Sequence, residues 1–228
     1  MTTVTLAPFL LARHELTQAQ WARLSPTAGK PRWPSGYEVG GKFVGIGVVD
    51  GTHPVETVNW GQAEAVLRLN GLTLPTEAQW EYGCRGGTTT PWFCGDEPDA
   101  VEGFGNVLDQ TAVSLYPGWR QPHTAAFADG FAGPSPVGRF AANPFGLHDA
   151  IGNVWEWCLD PMAQLSSPAA VDTGLRSAGQ RYAGDGRIAR GGCYVTEPQG
   201  GRSGNRNHYP VSFQDLKVGL RAARRLER

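Results

Sequence analysis

From Thr88 to Asn143 the chain is almost all turn chemistry: DEPD, PGW, ADGF and AGPSP follow one another with neither helical nor strand periodicity between them. A stretch this long without regular structure is uncommon inside an ordered domain and is usually either functional or disordered. Disordered tracts are poor in aromatics, yet here aromatic side chains recur from Trp92 through Phe140. The stretch therefore reads as packed loop. Its backbone polar groups then need partners other than a ladder, supplied by dense hydrogen bonding or by an ion. The fold must be one in which short elements brace long ordered loops. With 31 Gly and 17 Pro among 228 residues and only 18% charged side chains, composition also favours tight turns over long helices.

The regular elements that can be read are short and well punctuated. Thr5–Leu11 holds a compact apolar run, a candidate strand. Thr17 and Gln20 form a capping box at the start of TQAQWARL. Asn59 and Gln62 do the same for WGQAEAVLRLN, with Gly71 just past its end, and Thr76 and Gln79 for TEAQWEYGCR, which Gly86-Gly87 closes. KFVGIGVV, inside the Gly- and Pro-rich span 29–51, suggests a hairpin, and Val154/Trp155/Glu156/Trp157 alternate as a strand does. Ser166–Arg187 reads as a polar, Gly-containing linker or loop.

Bulk properties exclude several classes. The length suits one large domain, residues 1–228, with a core that needs no staples. A net charge of −1 leaves no electrostatic footprint for nucleic acid or for an anionic membrane. The apolar runs are too short for membrane insertion. MTTVTLAPFLLARHEL has neither a basic leader nor a small-residue cleavage site, so no signal peptide is expected and the chain is cytoplasmic as synthesised. Cys84, Cys94, Cys158 and Cys193 match no zinc spacing and make no disulfide framework. They read as reduced thiols, with a Cys84–Cys94 bridge as the other arrangement left open. Most of the 20 basic residues are Arg, which fits a GC-rich or heat-adapted, thermostable source.

Residues 190–221, RGGCYVTEPQGGRSGNRNHYPVSFQDLKVGLR, mix two kinds of position. Arg190-Gly191-Gly192, Glu197-Pro198-Gln199, Arg202-Ser203, Asn205-Arg206, Pro210 and Val218-Gly219-Leu220-Arg221 look like scaffold. Interleaved with them are Cys193, Tyr194, Val195, Thr196, Gly200, His208, Tyr209, Val211, Phe213, Asp215 and Leu216. These aromatic, aliphatic and small polar residues share no periodicity, which suits a binding surface: tyrosine and its neighbours give rigid, amphipathic contact area at low entropic cost. Arg202, Asn205 and Arg206 would hold the loop by donating to its carbonyls.

Four strings carry a resemblance: HPVETVNWGQAEAVLRLNGLTLPTEAQWEYGCRGG (53–87), NPFGLHDAIGNVWEWCLD (143–160), RGGCY (190–194) and RSGNRNHYP…VGLRAAR (202–224). The chain resembles the formylglycine-generating-enzyme superfamily, which implies an α+β fold of C-type-lectin type with two short helices, short antiparallel strands and much irregular loop. The family's oxidases hold copper with two cysteines, four residues apart, in the loop after Gly-Gly-Ser, and soft Cu(I) wants both sulfurs. Here Cys193 stands alone in the serine position, and Gly200 or Gly201 lies near where a cysteine is needed, so no copper is expected. The iron-dependent sulfoxide synthases of the superfamily use a His triad. His14, His53, His123, His148 and His208 supply no such set.

A third branch fits the residues better. Residues 190–221 resemble the variable region of target proteins of diversity-generating retroelements, in which adenine substitution of AAC- or AAT-type codons yields Tyr, Phe, Cys, His, Val, Thr, Gly, Ser, Asp, Leu or Asn. Trp, Met, Lys, Glu and Gln never arise. Every interleaved position holds a permitted residue, and Glu197, Gln199, Gln214 and Lys217 would have to be fixed. The resemblance implies a non-enzymatic ligand-binding protein whose partner is a protein or cell-surface ligand, with display on a virus particle or cell surface. A formylglycine-generating or sulfoxide-synthase oxidoreductase and an inactive paralogue are the alternatives. The resemblance also implies structural calcium. One site would take Asn106, the Val107 carbonyl, Asp129 and the Phe131 carbonyl. The other would take Asp149, the Gly152 and Val154 carbonyls, and Glu156. Such mixed oxygen sets suit a hard cation in irregular loop.

Overall fold

The fold is taken from a computed structural model, which describes residues 4–25, 34–162, 173–175 and 186–226. The linker read between Ser166 and Arg187 lies largely outside the described residues. Strand β1 (Phe9–Leu11) leads to α1 (Gln18–Leu24), then a hairpin of β2 (Lys42–Phe43) and β3 (Gly47–Val48), then α2 (Trp60–Leu69) and α3 (Glu77–Arg85). A short α4 (Gln110–Leu115) precedes β4 (Trp155–Pro161), β5 (Gly186–Arg190), β6 (Asn207–Pro210), β7 (Val218–Gly219) and β8 (Ala223–Arg225).

The caps form as their chemistry requires. Thr17, Asn59 and Thr76 each accept from the third helical backbone N–H, and Gln20, Gln62 and Gln79 reach back to the cap. Gly86 ends α3 in the left-handed region at φ 59°, where glycine carries no Cβ penalty. Four α-helices are described rather than two. Helix α4 was hidden in the turn-rich stretch: Asp109 caps it by accepting from the Ala112 N–H at 3.0 Å.

The main sheet runs β6-β5-β4-β7, antiparallel except for the parallel β4–β7 pair. A second, two-stranded sheet pairs β1 with β8 and so brings the two ends of the described chain together. The alternation in β4 divides two buried sides rather than separating inside from outside. Trp155 and Trp157 join one core with Val55, Leu67, Leu74 and Leu220, while Cys158 joins another with Trp80, Trp92 and Ile151. Between them the buried Glu156 accepts from Trp80 Nε1 at 2.7 Å and from Arg221, itself fully buried. All four cysteines are free, so Cys84 and Cys94 are not bridged.

Candidate functional site

Residues 190–217 are tied to the rest of the molecule chiefly by side chains of the scaffold class. Arg190, completely buried between α3 and the loop, donates to the Asn205 carbonyl, to the Ser203 carbonyl at 2.6 Å and to Glu81 at 2.6 Å. Its guanidinium also lies over Trp80. Arg206 grips both oxygens of the buried Glu77. To the expected loop carbonyls the structure thus adds a carboxylate on α3 as a partner of Arg206. Arg202 does donate to a carbonyl, that of Gln199 at 2.9 Å, and Asn205 Nδ2 donates to the Gly200 carbonyl at 2.7 Å. Of the residues the codon argument holds fixed, Gln214 donates to the Thr57 carbonyl and to Gln62, Glu197 accepts from the His123 N–H, and Lys217 pairs with Asp215 at 3.3 Å. From outside, the Trp60 and Thr57 N–H groups donate to the Val211 and Asp215 carbonyls.

The interleaved residues divide into three groups. Cys193 and Tyr194 do not face outward: they are 1% and 3% exposed. Cys193 belongs to the first core, with its Sγ 3.1 Å from the Thr196 hydroxyl, and Tyr194 Oη lies 3.3 Å from Tyr37 Oη. Val195, Thr196 and Gly200 are half-buried around the turn Pro198–Gly201. His208 and Leu216 are exposed, and Tyr209, Val211, Phe213 and Asp215 are half-buried between them. Tyr209 and Phe213 stack in parallel at 4.3 Å between centroids, and Tyr209 meets the edge of Trp157. These two rings are therefore anchors as well as surface, where the sequence had suggested surface alone.

Beside this patch lies a cleft of about 510 Å³. Tyr194, Leu108 and Val195 lie in it together with Tyr37 and Trp119, and Leu216 and Gln121 stand at its rim. Tyr37 and Trp119 were missed in the sequence, since a Tyr in a Gly-rich loop and a Trp in a PGW turn carry no signal of convergence.

The thiols do not present a soft-metal centre. Burial pushes the Cys193 thiol up, with the Thr196 hydrogen bond only partly opposing it. The thiolate, which is the form that binds metal, is thereby disfavoured. Nor does the loop take a side chain at Gly200 or Gly201 unless Thr196 or Ile151 shifts. A Cβ on Gly200 would fall 2.0 Å from Thr196 Cγ2, and one on Gly201 would fall 2.8 Å from Ile151 Cγ2. Among the described residues no three His, Cys, Asp or Glu side chains come together to hold a metal.

The mixed oxygen sites differ in fit. At the first, the fully buried Asn106 Oδ1 has no partner among the described residues, while Asn106 Nδ2 donates to Gly133 and Asn153. Asp129 accepts from the Val107 and Phe131 N–H groups. Burial first, and then the neighbouring Asp109 carboxylate, push the Asp129 carboxyl up to about 8. A buried orphan oxygen at Asn106, and an Asp129 carboxylate held to the N–H of the next residue along, Val107, and crowded by Asp109, are donor types that fit a hard cation. At the second, both Glu156 oxygens are already engaged by Arg221 and Trp80, so Glu156 does not fit as a ligand. Asp149 Oδ1 is buried without a partner among the described residues, while Oδ2 accepts from the Gly138 N–H.

Comparison with known proteins settles the family. The model of the sulfatase-modifying factor enzyme 1-like domain matches residues 1–226. The chain belongs to this family. Within it, the chain is 49% identical over 105 residues to the formylglycine-generating enzyme of Mycobacterium tuberculosis, covering 46% of this chain and 32% of that protein. It is 34% identical over 139 residues to the inactive C-alpha-formylglycine-generating enzyme 2 of Bos taurus, covering 56% of this chain and 42% of that one. The chain thus spans well under half the length of these relatives. In fold it is similar to Treponema denticola variable protein 1, with a TM-score of 0.75 and 22% identity over 98% of this chain and 86% of that one. The relatives it matches thus include one named as a formylglycine-generating enzyme and one named as inactive. No helix among the described residues is long and apolar enough to cross a membrane.

Proposed function

We propose that this protein is a non-enzymatic ligand-binding member of the family, displaying an exchangeable surface made by His208, Tyr209, Val211, Phe213, Asp215 and Leu216 to a protein or cell-surface partner. One observation carries the reading. The backbone of 193–217 is held to the rest of the molecule by Arg190, Arg206, Gln214 and Glu197, and within itself by Asn205, none of which belongs to the exchangeable set. Thr196 and Asp215 add only local contacts to the Cys193 and Lys217 N–H groups. Side chains can therefore change while the loop stays in place, and a preorganised loop spends little of its binding energy on ordering. Membership among target proteins of diversity-generating retroelements is the finer form of this reading, supported by the placement of Glu197 and Gln214 as anchors. A single buried thiol, with no second cysteine in residues 190–221, speaks against copper oxidase chemistry. Calcium at Asn106, the Val107 carbonyl, Asp129 and the Phe131 carbonyl would neutralise the crowded acids and brace the irregular stretch.

The reading is tested by display. His208, Val211, Phe213 and Leu216 are randomised among the residues listed above as permitted, and the library is selected on immobilised lysozyme. Folded binders are expected. In parallel, the chain loaded with Cu(I) is given oxygen and a cysteine-containing peptide. Oxygen-dependent formation of formylglycine would overturn the reading in favour of the enzyme.

A further inference from the structure

The cleft beside the exchangeable patch meets that patch at one edge and is otherwise built from residues that the proposed function leaves fixed. Leu216 and Asp215 come from the exchangeable surface, Tyr194 and Val195 from the more buried part of residues 190–221, and Tyr37, Leu108 and Trp119 from outside that segment. The part outside the segment is well held. Trp119 stacks on Tyr116 at 4.5 Å and 24°. Tyr37 donates its backbone N–H to Glu56, accepts from Gln18 Nε2 through its carbonyl, and meets Phe43 edge-on at 5.0 Å.

The chemistry of the cleft selects its occupant. Leu108 and Tyr194 are almost fully buried and form its floor, while the half-buried Tyr37 and Trp119 rings form its walls. Such walls favour a flat apolar group, which offset or edge-to-face contact with an aromatic stabilises further. On the floor the two phenol oxygens are 3.3 Å apart. One O–H is used between them, and the other remains to meet a polar tip. Burial pushes the ionisation of both phenols up, so the floor stays neutral. At the rim Asp215 and Lys217 neutralise each other, so no charged occupant is called for. A volume of about 510 Å³ suits one ring and the chain that carries it.

We propose that this cleft receives the ring of a tyrosine side chain projecting from a protein partner, and that Trp119 and Tyr37 give every variant of the surface this same anchor. The inference rests on the ligand-binding reading and deepens it. Buried aromatic anchors carry much of the energy at protein interfaces, so a shared anchor lets the exchangeable residues act mainly on specificity. A sugar ring would need several hydroxyl partners, and these walls offer it mostly apolar surface.

Two arms test the inference. In the first, the ¹⁵N-labelled full chain is titrated with N-acetyl-L-tyrosinamide while the Trp119 indole signal, assigned through Trp119→Phe, is followed. A saturable shift is expected, absent in Gly118→Trp. Gly118 lines the cleft and a Cβ there meets no heavy atom within 4 Å, so that variant adds an indole at the cleft without a clash at its Cβ, and thermal unfolding checks the fold. Trp119→Ala is the second variant and should weaken binding at least tenfold. No saturable shift, or tighter binding of methyl α-D-glucopyranoside at the same signal, overturns the inference.

In the second arm, the display library is built with and without Gly118→Trp. Binders from the open cleft that are at least tenfold tighter or more numerous support the anchor. Equal yields and affinities leave the binding reading standing and overturn the anchor. No binders from either library overturn both.

Discussion

Arg190 and His208 sit on neighbouring strands and meet opposite fates. Arg190 is completely buried, its guanidinium spent on two loop carbonyls and Glu81. His208, across β5 from Ile188, stands exposed. One residue fixes where the loop runs, and the other, under the proposed function, is free to differ without moving it. The contrast extends along the segment. Arg206 with Glu77 and Gln214 with Thr57 belong to the first kind, Leu216 and Val211 to the second, and Tyr209 and Phe213 lie between. Recognition can be separated from folding when backbone hydrogen bonds end on side chains other than those that meet the ligand.

The sharpest way to break this comparison is to remove the buried cation. Arg190→Met leaves two loop carbonyls without their donor, while Glu81 keeps Arg85 and the buried Glu77 keeps Arg206. An unmatched buried acceptor costs about 1–3 kcal/mol, so urea denaturation should show a loss of about 2–5 kcal/mol. A loss below about 1 kcal/mol would show that the loop is held some other way.

Calcium comes next. If Asn106 and Asp129 hold it, calcium at a hundred times its Kd stabilises by about 2.7 kcal/mol. The melting temperature should rise with calcium, fall with chelator, and lose most of its response in Asp129→Asn.

Tyr209 and Phe213 test the middle of the comparison. Full burial would make Phe→Ala cost about 3–5 kcal/mol. At half burial each alanine should cost about 1–2 kcal/mol, with a coupling near 0.5–1.5 kcal/mol between the stacked rings. Additivity in the double-mutant cycle would dissolve the stack as an anchor.

A smaller effect concerns Glu56, which holds the backbone of Gly36 and Tyr37 at the cleft wall. Burial raises its carboxyl above the usual value, against the hydrogen bonds that lower it. The folded state therefore holds the proton longer than the unfolded chain. Its contribution is fully present below the unfolded pKa and is lost as pH rises through the folded one. Glu56→Gln should flatten that decline in a pH series of unfolding free energies. The least effect belongs to the exposed residues: His208→Ala and Leu216→Ser should each stay within about 0.5 kcal/mol.

What could be read from the sequence was local. The three capping boxes lie within four residues of themselves, and their geometry follows from side-chain chemistry alone. The scaffold role of residues 190–206 was visible in composition, but its partners were not, because Glu81 lies 109 residues from Arg190 and Glu77 lies 129 from Arg206. Tyr194 was read as outward-facing because tyrosine is amphipathic. Its hydroxyl is met by Tyr37, 157 residues away, and nothing near Tyr194 in the chain announces that contact. The double burial of β4 was hidden for a similar reason: alternation reveals two faces but not what covers each. Helix α4 was too short for periodicity to register.

The central claim is that the path of residues 193–217 does not depend on the side chains it displays. It is tested most directly by the crystal structure of a variant carrying His208→Tyr, Val211→Asn, Phe213→Tyr and Leu216→Phe together. The account predicts a backbone over 193–217 that superimposes on the parent to within about 1 Å, as preorganised binding surfaces do. A displacement above about 2 Å with Arg190 and Arg206 still in place would contradict it.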